Sequence, residues 1–256
     1  MSKVDAYTQG TPCWAEILSA DSDAAREFYG KLFGWEFEAN AMGLMTYYVA
    51  SKDGVPVAGL MQQLRVMSDG GLPTGWMTYI AVDDADATAA AVTQAGGTVL
   101  FPIEEIPGVA KSVLAKDDQG VVIGFWQAKG HVGSGVVDEP GAISWYELQT
   151  ADVDAAKTFY LAVAGMESHT GPAGDMAAYT EFQVGGKPVA GALPKPMPEM
   201  PNYWSVYFNV EDADRTVAQI LELGGTVVAP AFDVTSIGRI AVMADPQGAV
   251  FNIMAH

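Results

Sequence analysis

The sequence predicts an α+β fold made of four modules, each with the order strand, helix and three strands. Two repeats carry this prediction. The stretch "DSDAAREFYGKLFGW" at 21–35 returns as "DVDAAKTFYLAVAGM" at 152–166, and "WMTYIAVDDADATAAAVTQAGGTVLFP" at 76–102 returns as "WSVYFNVEDADRTVAQILELGGTVVAP" at 204–230. Because repeats at a fixed offset mark a duplicated chain, the modules follow the order A-B, linker, A′-B′.

The A modules begin with a strand and continue into a capped helix. "CWAEILS" alternates with the period of a strand, Asp21 suits a helix N-cap, and Gly34 suits the left-handed residue that ends a helix. Asp152 and Gly165 occupy the same places in the second copy. A hairpin with a shared Gly-x-Pro-Val-Ala-Gly core should follow in each half. These hairpins lie at 47–61 and 179–193, with the turn dipeptides Asp53-Gly54 and Gly185-Gly186.

The B modules carry a second type of helix and a shared closing turn. Their helices should begin near Asp84 and Asp212 and stop at paired glycines. An Asp-x-Gln-Gly turn then leads into a final apolar strand, at 117–126 and 245–254. The Gly-rich stretch between the halves is interpreted as a linker. The expected bounds are 1–128 for the first domain (modules 7–62 and 74–128), 129–139 for the linker and 140–256 for the second domain (modules 140–195 and 203–256).

The charge balance limits the partners of this protein. With 31 Asp and Glu against 13 Lys and Arg, the formal net charge is −18 at pH 7. Such a surface repels phosphate backbones and anionic lipids, so we expect no nucleic-acid and no membrane partner. The chain shows neither a leader-like start nor an apolar run of about 18 residues, and we expect a cytoplasmic protein. The lone Cys13 should be a small buried apolar residue.

The module order, the "FYGKLFGW" helix and the closing Asp-x-Gln-Gly turn resemble the vicinal oxygen chelate superfamily. That superfamily includes glyoxalase I, extradiol dioxygenases and bleomycin-resistance proteins. More narrowly, the doubled pattern resembles two-domain actinobacterial members labelled glyoxalase-like or hydroxylase. The resemblance implies that modules pair edge to edge into curved sheets that hold a ligand. Four modules then imply two glyoxalase-like domains, each with one cup, with two alternative module pairings (1 with 2 and 3 with 4, or 1 with 4 and 2 with 3).

The resemblance also identifies positions where metal-dependent members carry His, Gln or Glu ligands. In this sequence those positions offer no set of first-row metal ligands, and we expect neither metal nor cofactor. The three histidines, His131, His169 and His256, fall in the linker, a loop and the C-terminus. The residues at the ligand positions are Trp14, Met77 and Gly124 in the first half and Trp145, Ser205 and Asn252 in the second.

Strand alternation predicts which side chains line the cups. Glu16 and Glu147 lie two positions beyond Trp14 and Trp145, so each carboxylate shares a strand face with a tryptophan. Both glutamates are candidate acid/base residues, or else carboxylates bonded to a neighbouring arginine or amide. Trp76 alternates to the opposite face and should pack in the core. The expected ligand-binding residues are Trp14, Tyr48, Met61, Met77, Tyr79 and Trp126 in the first cup, and Trp145, Phe182, Tyr203, Tyr207, Asn252 and Met254 in the second.

Aromatic walls around one carboxylate suit a flat, hydrophobic small molecule. The leading hypothesis is a metal-free binding protein for an aromatic or polycyclic natural product, acting in resistance or as a biosynthetic accessory. The alternative is a metal-independent isomerase, cyclase or hydroxylase-like enzyme that uses a cup glutamate as general acid/base. A metal-dependent lyase or dioxygenase is a remote third. We expect the two cups to be functionally unequal and the protein to be a monomer or homodimer.

Overall fold

The computed structural model describes residues 3–42 and 45–256. Its first half follows the predicted module order, with a short helix joining the two modules and with the second strand of the B module split in two. The elements are β1 (Pro12–Ser19), α1 (Ser22–Phe33), β2 (Glu36–Met42), β3 (Met45–Lys52), β4 (Val55–Gln62), α2 (Arg65–Asp69), β5 (Gly75–Ala81), α3 (Ala85–Gln94), β6 (Thr98–Val99), β7 (Glu104–Ile106), β8 (Ala110–Lys116) and β9 (Val122–Ala128).

The second half repeats this order, and here the strand after the second helix runs without interruption. Its elements are β10 (Ile143–Thr150), α4 (Val153–Ala164), β11 (Glu167–Ala173), β12 (Met176–Val184), β13 (Lys187–Pro194), β14 (Tyr203–Asn209), α5 (Ala213–Glu222), β15 (Thr226–Val234), β16 (Gly238–Ala244) and β17 (Val250–Ala255).

Each of the two mixed sheets takes its strands from one half of the chain. The first has the order β2-β3-β4-β1-β5-β9-β8-β6, with β7 also on β8, and the second has the order β11-β12-β13-β10-β14-β17-β16-β15. The central pairs β1–β5 and β10–β14 are antiparallel and join the two modules of each half. Module 1 therefore pairs with module 2 and module 3 with module 4. The domain bounds at 128 and 140 stay a prediction.

The predicted caps and turns explain where the elements start and stop. The Asp21 carboxylate accepts hydrogen bonds from the amides of Asp23 and Ala24, both at 3.0 Å, and satisfies amides that the helix itself leaves free. Gly34 ends α1 at φ 71°, a left-handed angle that glycine adopts without strain. Asp152 and Gly165 do the same for α4.

One large core lies between the two halves, where the helix-covered faces of both sheets meet. The Phe33 ring of α1 packs 4.9 Å from the Phe208 ring of β14, and Tyr29 lies 5.7 Å from Phe251 of β17, centroid to centroid. Trp76 donates its indole N–H to the Tyr29 hydroxyl at 3.0 Å. The prediction that Trp76 packs on the helix side is confirmed.

The Asp-x-Gln-Gly turns dock each half on the first helix of the other. Tyr160 of α4 donates to the Asp117 carboxylate at 3.1 Å, and Tyr29 of α1 donates to Asp245 at 3.1 Å. Gln119 accepts from the Asp152 amide at 2.9 Å, and its counterpart Gln247 accepts from the Asp21 amide at 2.7 Å. The two contacts are reciprocal, and each holds a helix start of the opposite half.

Two further sequence expectations concern the cysteine and membrane insertion. Cys13 is fully buried, as predicted, and burial raises the pKa of its thiol. Within the part of the chain that the structure describes, no helix combines the length and apolar character needed to cross a bilayer.

Candidate functional site

The outer, concave face of the first sheet forms the first cup, and its strand parity follows the prediction. Trp14 and Glu16 of β1 point to the cup, while Ala15 and Ile17 belong to the core between the halves. Across the antiparallel pair, Trp14 lies opposite Tyr79 of β5. This register brings two aromatic side chains and the carboxyl group of Glu16 together at the centre of the sheet.

Glu16 lies at the end of a hydrogen-bond chain. The Trp14 indole donates to the Tyr47 hydroxyl at 2.9 Å, and Tyr47 hydrogen-bonds Glu16. The Tyr79 hydroxyl donates to Glu16 Oε1 at 3.3 Å. Glu16 is only 6% exposed, and this desolvation raises its pKa to about 7 against the opposing effect of the two tyrosines. A carboxyl group that titrates near neutral pH can both accept and donate a proton there.

The outer face of the second sheet, the second cup, repeats this chain with one more donor. Trp145 donates to the Tyr179 hydroxyl at 2.8 Å, which donates to Glu147 Oε2 at 3.0 Å. Tyr207 and Gln149 donate to Glu147 Oε1 at 2.8 and 2.6 Å. Burial raises the pKa of Glu147 as well, and all three donors oppose that rise. The added amide of Gln149 therefore favours the ionised form in the second cup.

The last glycine of the shared Gly-x-Pro-Val-Ala-Gly core makes room for the tyrosine of each chain. A Cβ at Gly59 would lie 2.0 Å from the Tyr47 hydroxyl oxygen, and a Cβ at Gly191 would lie 1.7 Å from that of Tyr179. Neither distance leaves space for a side chain. The motif thus forms the hairpin turn and also leaves space for the tyrosine that hydrogen-bonds the buried glutamate.

His131 enters the first cup from the segment predicted as a linker. Its ring packs edge-on against Trp14 at 4.6 Å and Trp126 at 5.8 Å, and its backbone oxygen accepts from the Trp126 indole at 2.8 Å. Burial lowers the pKa of the imidazole. Its Nε2 is enclosed without a hydrogen-bond partner among the described residues. Its position in the Gly-rich segment gave no sign of this role.

Two hairpin residues assigned to the cups lie on the opposite face, which corrects the prediction. The Tyr48 ring packs under the Arg26 guanidinium at 4.2 Å, and the Phe182 ring lies 5.6 Å from Tyr160 in the core between the halves. Tyr47 and Tyr179 reach the cups instead. In "TYYVA" the adjacent tyrosines occupy both strand faces, so alternation alone could not select between them.

Gly124 and Asn252 on the last strands contact the protein itself, although Asn252 was expected to bind a ligand. A Cβ at Gly124 would lie 2.1 Å from the Tyr79 ring. The Asn252 amide donates to the Ser205 hydroxyl and, at 3.4 Å, to the carbonyl of Val206. Tyr79 therefore occupies the space above Gly124, and Asn252 is bonded within the protein.

The remaining predicted residues lie on the expected faces. Met61 and Met77 belong to the apolar cluster of the first cup, and Met254 packs with Tyr207 in the second. Burial and the nearby Glu147 charge raise the pKa of Tyr203. His169 lies on β11 opposite Glu181 rather than in a loop, which corrects that expectation.

The walls of the two cups differ at three positions that have the same strand register in both halves. At these positions the first cup carries apolar side chains and the second cup carries polar ones. This difference gives the cups different chemistry on the same frame. The pairs, first cup before second, are Leu18 and Gln149, Met77 and Ser205, and Val49 and Glu181.

A cavity of about 420 Å³ opens at the edge of the first cup, where the chain leaves the sheet between β6 and β7. Met67, Leu72, Phe101 and Leu114 line it and pack against the apolar cluster that contains Trp14. Its size and apolar walls are typical of small-molecule sites, which span roughly 300–1,000 Å³. A shallower depression of about 640 Å³ lies between the start of α5 and the β15–β16 turn and includes none of the predicted ligand-binding residues.

Comparison with known proteins agrees with this architecture. Residues 13–125 match the Glyoxalase/Bleomycin resistance protein/Dioxygenase superfamily, and residues 145–254 match the Glyoxalase-like domain. CFP32 of Mycobacterium tuberculosis (strain CDC 1551 / Oshkosh), which is named as a glyoxylase, is 39% identical over 99% of this chain and 98% of its own. The chain belongs to the glyoxalase/bleomycin resistance protein/dioxygenase superfamily.

Two further proteins are similar to this chain over nearly its whole length. The anthracycline biosynthesis protein DnrV of Streptomyces peucetius is 33% identical over 97% of this chain and 94% of its own. The Mn(II)-bound glyoxalase from Novosphingobium aromaticivorans has the same fold, with a TM-score of 0.65 and 16% identity over 96% of this chain and 82% of that one.

The donor atoms of this superfamily member do not fit a metal of the family type. At the positions that the resemblance assigns to ligands, the first cup has an indole, a thioether and a glycine, which are not the usual ligands of a first-row metal. Glu16 and Glu147 are each surrounded by hydroxyl donors. Within residues 3–42 and 45–256, no three His, Cys, Asp or Glu side chains are grouped to hold an ion.

Proposed function

We propose that this glyoxalase-like protein binds a flat aromatic small molecule in the cavity of the first cup. The observation that carries the proposal is an apolar cavity next to an aromatic cluster that holds one buried carboxyl group. Apolar and aromatic burial would supply affinity. Ser112 lines the cavity and would orient a polar substituent of the ligand, with Glu16 and Tyr79 buried nearby.

The relatives support a role in natural-product chemistry. DnrV is named as an anthracycline biosynthesis protein and aligns with nearly the whole chain. Anthracyclines are fused polycyclic aromatic compounds, the class of molecule that an apolar cavity beside an aromatic cluster suits. We therefore propose that the chain acts in antibiotic biosynthesis or resistance on a polycyclic ligand.

A second candidate function is acid/base catalysis without a metal. Glu16 supports it, because burial places its pKa at about 7, where the proton can leave or return at neutral pH. In this mechanism Glu16 takes a proton from a bound carbon or hydroxyl acid. Tyr79 and Tyr47 hydrogen-bond the Glu16 carboxylate before the transfer and can then donate to the anion that forms on the ligand.

Calorimetric titration with 2-naphthalenemethanol, a neutral aromatic probe, tests binding in the first cup. We expect about one probe per chain, because the walls of the cups differ. Leu114→Trp should fill the cavity and weaken binding about tenfold or more. Val242→Trp is the matched control, since Val242 lies opposite Asn252 as Leu114 lies opposite Gly124. Two equal sites, or equal loss in both variants, would contradict the proposal.

Product analysis of any polycyclic ligand that binds separates the two candidate functions. For an acid/base enzyme, Glu16→Gln should lower turnover by about 10² or more while binding persists. For a binding protein, neither the parent nor Glu16→Gln should form a product.

Chelation tests the metal-independent part of the proposal. We expect the purified protein to contain no stoichiometric Zn²⁺, Fe²⁺ or Mn²⁺, and EDTA to leave its melting temperature unchanged, because the cups lack a ligand set. Metal analysis and a thermal melt measure this. About one ion per half, together with a lower melting temperature after chelation, would overturn it.

A further inference from the structure

Glu104 is a charged residue at the mouth of the cavity in the first cup. It lies on β7 opposite Ser112 of β8, and Ser112 in turn lies opposite Trp126 of β9. This register places Glu104 on the cup side of the sheet. Glu104 and Ser112 both line the cavity, and the Glu104 side chain is exposed at its rim.

The charge of Glu104 acts on the centre of the cup. It raises the pKa of both Glu16 and Tyr79, in each case as a smaller contribution than burial. Glu104 is therefore close enough to the buried carboxyl group for the two charges to repel each other. A ligand that occupied the space between them would experience both.

Among the described residues, no Lys, Arg or His lines the cavity, and no ion pair involves Glu104. Lys116 lies further along β8, with its Nζ beside Gly71. The neighbouring Glu105 differs, since it faces Lys111 on the other side of the sheet, where Lys111 pairs with Asp86 of α3. Glu104 thus has no ion-pair partner among the described residues.

An apolar cavity with a carboxylate at its rim favours one kind of ligand. Apolar walls take up a ring system, and negative potential in a low-dielectric cleft attracts cations and repels anions. The Phe101 ring in the wall can also attract an ammonium group through its negative face. A neutral ring of the same shape gains only the first of these interactions.

We infer that the first cup selects aromatic ligands that carry a protonated amine, with Glu104 as the counter-ion at the cavity mouth. This inference rests on the proposed binding of aromatic molecules in the first cup. Ser112 beside Glu104 can accept a second hydrogen bond from the ammonium group. Glu104 is then a specificity-determining residue that the sequence analysis did not identify.

Two probes with the same ring test the inference by calorimetry at pH 8 and low salt. We expect 2-naphthylmethylamine, a cation, to bind the parent about tenfold more tightly than neutral 2-naphthalenemethanol. In Glu104→Gln most of this ratio between the two probes should be lost. Glu105→Gln removes the same charge from the other face, so there the tenfold difference should persist. Thermal melts check that both variants fold.

The outcomes separate the inference from the proposed function. If the alcohol binds but the amine binds no more tightly, or Glu104→Gln keeps the full difference, the inference is wrong and the proposed function stands. If both variants lose the difference equally, the preference comes from the overall charge of −18 and the assignment to Glu104 is wrong. If neither probe binds the parent, the proposed function fails and the inference fails with it.

Discussion

Trp14→Ala is expected to lower the free energy of unfolding by about 3–5 kcal/mol, the usual cost of removing a fully buried indole. Trp14 has no exposed surface, donates a hydrogen bond to Tyr47 and packs against His131. Its loss would leave a cavity and a tyrosine hydroxyl without its donor. Urea denaturation measures the change. The sequence analysis placed Trp14 among the ligand-binding residues, whereas its full burial favours a role in folding.

Trp145→Ala is the matched control, because Trp145 makes the same hydrogen bond to Tyr179 but is only partly buried. We expect a clearly smaller loss of stability for this variant, since less apolar surface is removed from the protein interior. Equal losses in the two variants would mean that the cups are packed alike. Trp14→Phe, which keeps a ring, is the better variant for binding studies.

Glu16→Gln is expected to gain stability relative to the parent as pH rises, by about 3 kcal/mol between pH 4.5 and pH 8. Burial raises the pKa of Glu16 from 4.5 to about 7. Below pH 4.5 the carboxyl group is protonated in the folded and unfolded chains alike. Between these pKa values the unfolded chain ionises first, so the parent loses stability until pH passes 7. Glutamine has no such loss.

Urea denaturation of both proteins at pH 4.5, 6 and 8 measures this difference. Glu27→Gln is the control, because the neighbouring Lys31 lowers the pKa of Glu27 and any pH-dependent difference should have the opposite sign. A constant difference between Glu16→Gln and the parent across this range would show that Glu16 titrates normally. The acid/base candidate would then lose its support.

Local patterns predicted the modules and the centre of each cup well. The repeated Asp caps and left-handed glycines fix both ends of α1 and α4 by short-range hydrogen bonds and backbone angles. Alternation in "WAEIL" was sufficient to place Trp14 and Glu16 on one face, since the strand is regular beyond the irregularity at Pro12/Trp14. These features depend on neighbours in sequence, which is why the sequence shows them.

What the sequence did not predict depends on contacts between distant segments. Tyr47 and Tyr179 reach the cups because Gly59 and Gly191 on the adjacent strand leave space for them. His131 reaches Trp14 because the segment after β9 folds back along the first cup. Glu104 lies in a segment whose sequence and strand structure are not repeated in the second half. The internal repeat therefore could not predict its position.

The reciprocal contacts of the Asp-x-Gln-Gly turns have a consequence for how this protein can evolve. A change at Asp117 or Asp245 alters the opposite half, because each carboxylate bonds a tyrosine on the other half's first helix. A change at Leu18 or Gln149 alters one cup alone. Substitutions in the contacts between the halves therefore affect both halves at once. Substitutions in the two cups can accumulate independently, so each cup can change its chemistry alone.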